Sequence, residues 1–393
     1  MPPFLRVVSI FAVAIVAGCR AGSAPSPAVP RTSAYVVMLG RDTIAVDQYT
    51  RVGDRLEGTL VVRAPRTTVT RYHVMLNADG TPAHAESSVR LADGTLVPGA
   101  ARSVAVSYGR DSAVTRVQRD TAIVIRSAAA GTWPYINYAM AFLQLPVDFA
   151  RAGRRDSLAG SILPIGGRAT TPLVLRRAGA GRYVVDLFGS RYDLRTDEQG
   201  TVQSMDGTGT TQQFLVTRRN EIDVAAVATA WTERERQTRA MGLLSPRDTV
   251  IGVIGRDTIW VDYGRPSARG RQIFAANGIL NDTLWRTGAN AATQLWTTRA
   301  IRIGGQTIPA GKYTLWTLAV PGRYQLIVNR QTGQWGTIYD PAQDLVRVPL
   351  AVSALAEHLE RFTIALDAEG AAAGALRLRW ETTQLSVPVT IPE

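Results

Sequence analysis

From Tyr35 to about Thr217 the chain is a succession of short apolar, often β-branched runs, each cut off by turn formers. Val36, Ile44, Val46, Leu56, Leu60, Val61, Val62, Val69, Val74, Met75 and Leu76 recur between punctuation such as Gly40-Arg41-Asp42 and Asn77-Ala78-Asp79-Gly80. Runs this short satisfy their backbone polar groups by pairing sideways, so the pattern predicts an antiparallel sheet. One stretch, Tyr135 to Ala152, breaks it: Ala139, Met140, Phe142 and Leu143 crowd together in a helical segment that contains Pro146. Strand-like runs resume at Thr171 to Leu175, Tyr183 to Phe188 and Gln213 to Val216. Many strands with one or two helices imply an α+β clam or half-barrel, that is, an antiparallel sheet or half-barrel with a helix, or a β-sandwich carrying a helical insertion.

Between Ile222 and Leu244 the period changes to about 3.6, with Val224, Val227, Ala228 and Trp231 on one side and Glu233 to Arg236 on the other. This predicts an amphipathic connecting helix, stopped by Gly242 and Pro246. Arg247 to Glu393 is again β-rich, with strand spacing typical of a β-sandwich. The expected fold class is therefore mainly β, with two β-rich domains, 35–221 and 247–393, joined by a helix within 222–246. The octapeptide Gly40-Arg41-Asp42-Thr43-Ile44-Ala45-Val46-Asp47 returns as Gly255-Arg256-Asp257-Thr258-Ile259-Trp260-Val261-Asp262, but the flanks differ. A shared tight turn into a strand explains the repeat better than a duplication.

At the start of the chain, Arg6 precedes the apolar stretch Val7 to Ala17, too short for the roughly 20 residues a spanning helix needs. It has the form of a secretory signal peptide over residues 1–18. Val16-Ala17-Gly18-Cys19 resembles a bacterial lipobox, and Cys19 is the only cysteine. Acylation there would fix the chain to a membrane, since buried acyl chains contribute roughly 0.8 kcal/mol per methylene. Arg20, in place of the retention residue Asp, resembles an outer-membrane sorting signal, and residues 19–34 read as the acylated cysteine and a flexible tether. The expected location is the cell envelope, anchored to the outer membrane and facing the periplasm or the cell surface. A single thiol excludes internal disulfides.

Several chemistries lack their motifs. His73, His84 and His358 are the only histidines; the first two stand either side of an expected hairpin, and His358 falls in the run Ser353 to Glu360, which is expected to be helical. No recurrent metal-ligand spacing occurs, so no metal and no cofactor are expected. Neither a nucleophile elbow nor a Gly-rich phosphate loop is present. The net charge of +12 is weak evidence for a nucleic-acid partner. Of 44 basic residues all but Lys312 are arginine, spread through every segment, and residues 247–393 carry 15 basic against 12 acidic side chains.

The dense polar material lies in the second domain. Tyr263-Gly264-Arg265-Pro266-Ser267-Ala268-Arg269-Gly270-Arg271 is followed by Trp285-Arg286-Thr287-Gly288-Ala289-Asn290 and by Pro309-Ala310-Gly311-Lys312-Tyr313-Thr314-Leu315. After these come Ile327-Val328-Asn329-Arg330, Gln334-Trp335-Gly336, Asp344-Leu345-Val346-Arg347 and Trp380-Glu381-Thr382. In type and order these blocks resemble the bacterial family of unknown function DUF2911, over roughly Trp260 to Ile391. The resemblance implies an exported or lipid-anchored protein and carries no activity. One departure stands at Ala275 to Leu284, where the family shows a Gly-rich stretch. The first domain's sheet-plus-helix pattern is only analogous to periplasmic lipid-carrying half-barrels.

Arginine offers a planar fork of donors to carboxylate, phosphate or sulfate, and tryptophan or tyrosine faces suit sugar rings. The candidate ligand set is Arg265, Arg271, Arg286, Asn290, Asn329, Trp335, Tyr339 and Glu381. It points to a small anionic or glycan ligand, or an envelope protein partner. Against it stands a structural reading in which Arg286 pairs with Glu381 or caps backbone carbonyls, Trp285 and Trp380 are core, and Gly288 is a turn residue. The expectation is a non-enzymatic envelope lipoprotein that binds a ligand or partner. The alternatives are a hydrolase of an envelope polymer or glycan using Asp262, Asp340 or Glu381, and a purely structural or assembly role.

Overall fold

The computed structural model describes residues 29–128, 130–208, 210–276, 278–320 and 322–392. The signal-like segment, Cys19 and the tether up to residue 28 lie outside the described residues. The first domain comprises β1 (Arg31–Leu39), β2 (Asp42–Val52), β3 (Arg55–Val62), β4 (Thr68–Leu76), β5 (Pro82–Leu91), β6 (Ser103–Tyr108), β7 (Ser112–Gln118), β8 (Ala122–Ala128), β9 (Thr132–Tyr135), α1 (Ala141–Ala152), β10 (Ser157–Pro164), β11 (Thr171–Arg177), β12 (Arg182–Leu187), β13 (Ser190–Thr196), β14 (Val202–Asp206) and β15 (Phe214–Arg219). β1 thus starts at Arg31, inside the stretch read as tether.

These strands form one sheet in the order β8-β7-β6-β5-β4-β3-β2-β1-β15-β14-β13-β12-β11-β10-β9, antiparallel except where β9 runs parallel to β10. A sheet this wide must coil, because each strand is twisted against the next. The coil brings Leu163 at the end of β10 against Val106 and Ala113 on the other arm. Inside it lies α1. Its apolar residues Ala141, Phe142, Leu143, Leu145, Pro146, Val147 and Ala150 are all buried, while Arg151 at its end is exposed. Phe142 meets Tyr72 of β4 with ring centroids 5.1 Å apart, and Trp133 of β9 meets Phe149 at 5.3 Å.

Two buried polar side chains tie the helix in place. Gln144 donates from Nε2 to Gly200 O at 2.9 Å and accepts from Val202 N at 2.8 Å, so its amide reads the β14 backbone. Asp47 of β2 accepts from Tyr72 Oη at 2.7 Å and from Met140 N, at the helix entrance, at 2.8 Å. Its carboxylate sits where the exposed N–H groups and dipole of α1 favour a negative charge.

α2 (Val224–Gln237) does more than connect. Asp223 caps it by accepting from Ala226 N, and Val224, Val227, Ala228 and Trp231 pack on Val46 and Val61, on the opposite side of the sheet from α1. Glu235 then accepts from both N and Oγ1 of Thr67.

The second domain comprises β16 (Arg247–Ile254), β17 (Asp257–Gly264), β18 (Thr283–Trp285), β19 (Thr293–Thr297), β20 (Ile301–Ile303), β21 (Gln306–Ile308), β22 (Gly311–Val320), β23 (Arg323–Asn329), β24 (Asp344–Ala368) and β25 (Ala373–Thr390). Their order is β16-β17-β19-β22-β23-β24-β25-β20-β21, with β18 also on β22. The long β24 pairs with β23 through its first residues and with β25 through its last, its register shifting between Ala354 and Thr363. That change of layer folds the sheet over one core holding Val261, Leu315 and Leu326 with Phe362, Ile364 and Trp380. The protein is thus mostly β, with two large sheets and few helices.

The helical reading of Ser353 to Glu360 is corrected. Val352, Ser353 and Ala354 pair with Leu385, Gln384 and Thr383, and the whole run lies within β24. Alanine, leucine and glutamate favour a helix only weakly, and a neighbouring strand overrides them. The repeated octapeptide occupies two equivalent hairpins: Leu39 pairs with Asp42 across Gly40-Arg41, and Ile254 with Asp257 across Gly255-Arg256. Gly40 and Gly255 have φ of 59° and 64°, as the first position of a two-residue type II′ turn requires. No helix among the described residues is long and apolar enough to cross a membrane.

Candidate functional site

The Trp285-Arg286-Thr287-Gly288-Ala289-Asn290 block forms a tight loop. Trp285 is buried against Phe362 and Trp380 and donates from Nε1 to Gly288 O at 2.8 Å. Thr287 and Asn290 hold φ of 49° and 64°, left-handed values that non-glycine residues adopt seldom and at a cost. Thr293 Oγ1 donates to Thr287 O, and the Thr287 and Thr317 hydroxyls are bonded, so the loop is fixed from both sides. Arg286 projects from it across Gly336, donating from Nε to Gly336 O at 2.8 Å. Gly336 permits this: a Cβ there would lie 2.1 Å from Arg286 Cδ.

Arg286, Asn290, Trp335 and Thr337 form one wall of a cavity of about 610 Å³ between the domains. The other walls come from the open end of the first domain's coil, including Val104, Ile165, Leu187, Phe188, Met205 and Phe214, with Tyr135, Tyr138 and Tyr192. This volume lies within the range of small-molecule sites, which combine an apolar lining with a few placed polar groups. Among the described residues, no Asp, Glu, His or Cys lines the cavity.

Arg286 is the one charged side chain among the described residues of that lining. Its Nη2 lies 3.5 Å from Thr211 Oγ1, and among the described residues it has no ion-pair partner. Burial pulls its guanidinium below the ordinary arginine value, with Tyr192 acting the other way. Beside it, Arg271 donates to Ala268 O, Ser267 O and, across the domain boundary, Gln212 O at 2.6 Å. Burial, followed by the nearby charge of Arg269, lowers Arg271 to about 10. Arg271, Arg286 and Asn290 share a narrower cleft next to the cavity.

Of the eight residues expected at a site, the structure thus gathers Arg286, Asn290 and Trp335, with Arg271 adjacent. The other four serve the domain itself. Arg265 pairs with Asp248 at 2.8 Å and holds Phe362 O and Thr363 Oγ1. Asn329 is fully buried, donating to Asp340 O and Asp344 Oδ1. Tyr339 donates to Asp344, which with burial pushes its phenol up to about 12. Glu381 accepts from Ile273 N at 3.0 Å and makes no ion pair with Arg286. The two other carboxylates considered for hydrolysis are also engaged, Asp262 with Arg247 and Asp340 with Ala342 N.

Sequence reasoning missed the wall from the first domain. Phe188 and Gly189 have φ of 54° and 71°, the two positive values of a type I′ turn between Leu187 and Ser190. Asparagine is favoured at the first of these positions, and a phenylalanine there is out of place for folding alone. Its ring faces Tyr135 at 5.4 Å on the cavity wall. Tyr138, with φ of 71°, is a second such residue.

No curated protein matches the chain. A DUF1089 family protein from Pseudomonas aeruginosa aligns in structure at 18% identity over 41% of this chain and 88% of its own, with a TM-score of 0.33. A β-barrel-like protein of the domain of unknown function DUF1849 from Brucella abortus aligns at 12% identity over 49% of this chain and 96% of its own, with a TM-score of 0.32. Residues 245–389, which include Arg286, Asn290 and Trp335, match the family described as protein of unknown function (DUF2911), the same family that the blocks from Tyr263 to Trp380 resemble.

Proposed function

We propose that this protein is a ligand-binding lipoprotein of the cell envelope, and that its ligand is an amphiphile with an anionic head and an apolar body, held in the cavity between the domains. The observation that carries the reading is Arg286, a guanidinium that among the described residues has no carboxylate partner and stands on an otherwise uncharged, largely apolar wall. Burying such a charge unpaired costs several kcal/mol, on the order of the penalty that an anionic ligand would offset. Its Nη1 makes no hydrogen bond among the described residues, which leaves part of the fork for a carboxylate or phosphate. Trp335, 48% exposed, would lie along the ligand near its head.

Among the described residues the lining offers serine and tyrosine hydroxyls but no carboxylate, imidazole or thiol beside them to activate a nucleophile, which supports binding over hydrolysis. The test is a titration of the purified chain with palmitate and, separately, with hexadecanol, followed by tryptophan fluorescence. The expected result is saturable binding of palmitate, at least tenfold weaker binding of the alcohol, and loss of that preference in Arg286→Ala. Equal affinity for both in the unaltered chain would remove the anionic head from the reading. No binding of either would return the structural role to the front.

The membrane attachment rests on Cys19 and the lipobox-like run before it. Cys19→Ala followed by cell fractionation is expected to release the chain from the membrane fraction. A variant that stays membrane-bound would overturn the anchor.

A further inference from the structure

Apart from the cavity, β4 and β5 bring together a cluster that nothing in the linear spacing announces. His73 and Glu86 are directly paired across the two strands, and His84 stands two residues before Glu86 on the same face of β5. One ligand atom from each of His73, His84 and Glu86 lies within 4.8 Å of the other two. His73 Nε2 and Glu86 Oε2 are 3.7 Å apart, and the two imidazole rings are 5.8 Å apart.

We infer that His73, His84 and Glu86 form a binding site for a divalent transition-metal ion of the imidazole-preferring class, such as zinc. Two imidazoles and one carboxylate, with further positions left to water, are an established donor set for that ion. Ligands about 2.0–2.2 Å from a tetrahedral ion stand roughly 3.4 Å from one another, so only rotamer adjustments separate the cluster from a bound geometry. The backbone is already in register, since both strands are held in a continuous ladder. Ser107 Oγ lies 3.5 Å from His84 Nδ1, so the ring can be oriented with Nε2 left for the metal. Side-chain exposures of 42% for His73 and 36% for Glu86 give an ion a way in. Glu57, paired with His73 on β3, adds a second carboxylate at the margin, while Arg55 and Arg71 stand two residues away on the same face.

An exposed His–Glu contact contributes little to folding, so stability alone gives little reason for two histidines and a glutamate to converge here. The experiment is isothermal titration of the purified chain with zinc chloride, repeated on His73→Ala, His84→Ala and, as a control, His358→Ala, with circular dichroism to verify folding. The expected result is one zinc ion per chain with micromolar affinity, at least tenfold weaker in either of the first two variants and unchanged in the control. Zinc binding of equal strength in folded His73→Ala and His84→Ala, or none in the unaltered chain, would overturn the site. If an alanine variant fails to fold, His73→Gln and His84→Gln carry the same expectation.

Discussion

Arg269 of the second domain donates from Nη1 to the Asp42 carboxylate of the first at 2.6 Å, while its carbonyl accepts from Arg41 N at 2.9 Å. The tip of the β1–β2 hairpin is thus bonded to the arginine-rich loop after β17. Gly40 is needed there, since a Cβ on it would lie 2.2 Å from Arg269 O. The cavity exists only while the domains hold this relation. Asp42→Ala leaves a mostly buried guanidinium unpaired, and the expected loss is about 1–3 kcal/mol. It should appear in calorimetry as a split of one transition into two, with faster proteolysis of the 238–246 connection. A single transition at the original temperature would show that the contact contributes nothing to docking.

The enclosed helix gives the second prediction. Phe142 is fully buried between α1 and Tyr72, and its removal leaves a cavity that the surrounding strands cannot collapse into. Phe142→Ala should cost about 3–5 kcal/mol in chemical denaturation. An exposed position on the other helix, such as Thr229→Ala on α2, should change stability by less than about 0.5 kcal/mol.

The difference between what was readable and what was not follows from the range of each interaction. The two helices, the Gly-Arg turns and the strand runs depend on neighbours within a few residues, so periodicity and turn chemistry reveal them. Pro146 and the apolar surround of Phe142, Leu143 and Leu145 were visible as a helix, but nothing local says that a fifteen-stranded sheet closes around it. Ser353 to Glu360 misled because its helix-favouring residues are held in β24 by Thr383 to Leu385, about 30 residues further along the chain. The site divides in the same way. Arg286, Asn290 and Trp335 stand in dense local blocks, whereas Phe188, Met205 and Phe214 reach the cavity only through the coil of the first domain. Asn329 and Glu381 have polar side chains like those of a binding site, and only the fold shows that Asn329 donates to the Asp340 carbonyl and the Asp344 carboxylate while Glu381 accepts from Ile273 N.

Asp47 gives the third prediction. Burial pushes its carboxyl up to about 7, partly opposed by the Tyr72 hydroxyl and the amides of Met140 and Ala141. In the unfolded chain the group titrates near the ordinary aspartate value of 3.8, so between those limits the folded state holds the extra proton. Its contribution is therefore largest below the unfolded value and is lost as the pH rises towards 7, by up to about 1.4 kcal/mol per pH unit. In Asp47→Asn, where no proton is exchanged, this component of the slope should vanish. Denaturation of both proteins between pH 4.5 and 8 checks the sign. A wild-type stability that rises relative to the variant over that range would show that Asp47 stays ionised throughout.

Phe188 tests whether backbone strain has been kept for the sake of the cavity. At φ of 54°, in the first position of a type I′ turn, asparagine relieves roughly 1–2 kcal/mol of left-handed strain. The same change removes a half-buried ring from contact with Tyr135, and that lost apolar burial is of similar size, roughly 1.5–3 kcal/mol for a full side chain. Phe188→Asn should therefore leave stability within about 1 kcal/mol of the unaltered chain, while palmitate binding weakens several-fold because one wall of the cavity is gone. The two measurements separate the explanations. A loss of more than about 3 kcal/mol would place Phe188 among residues kept for folding, and unchanged palmitate affinity would show that the ligand does not reach the β12–β13 turn.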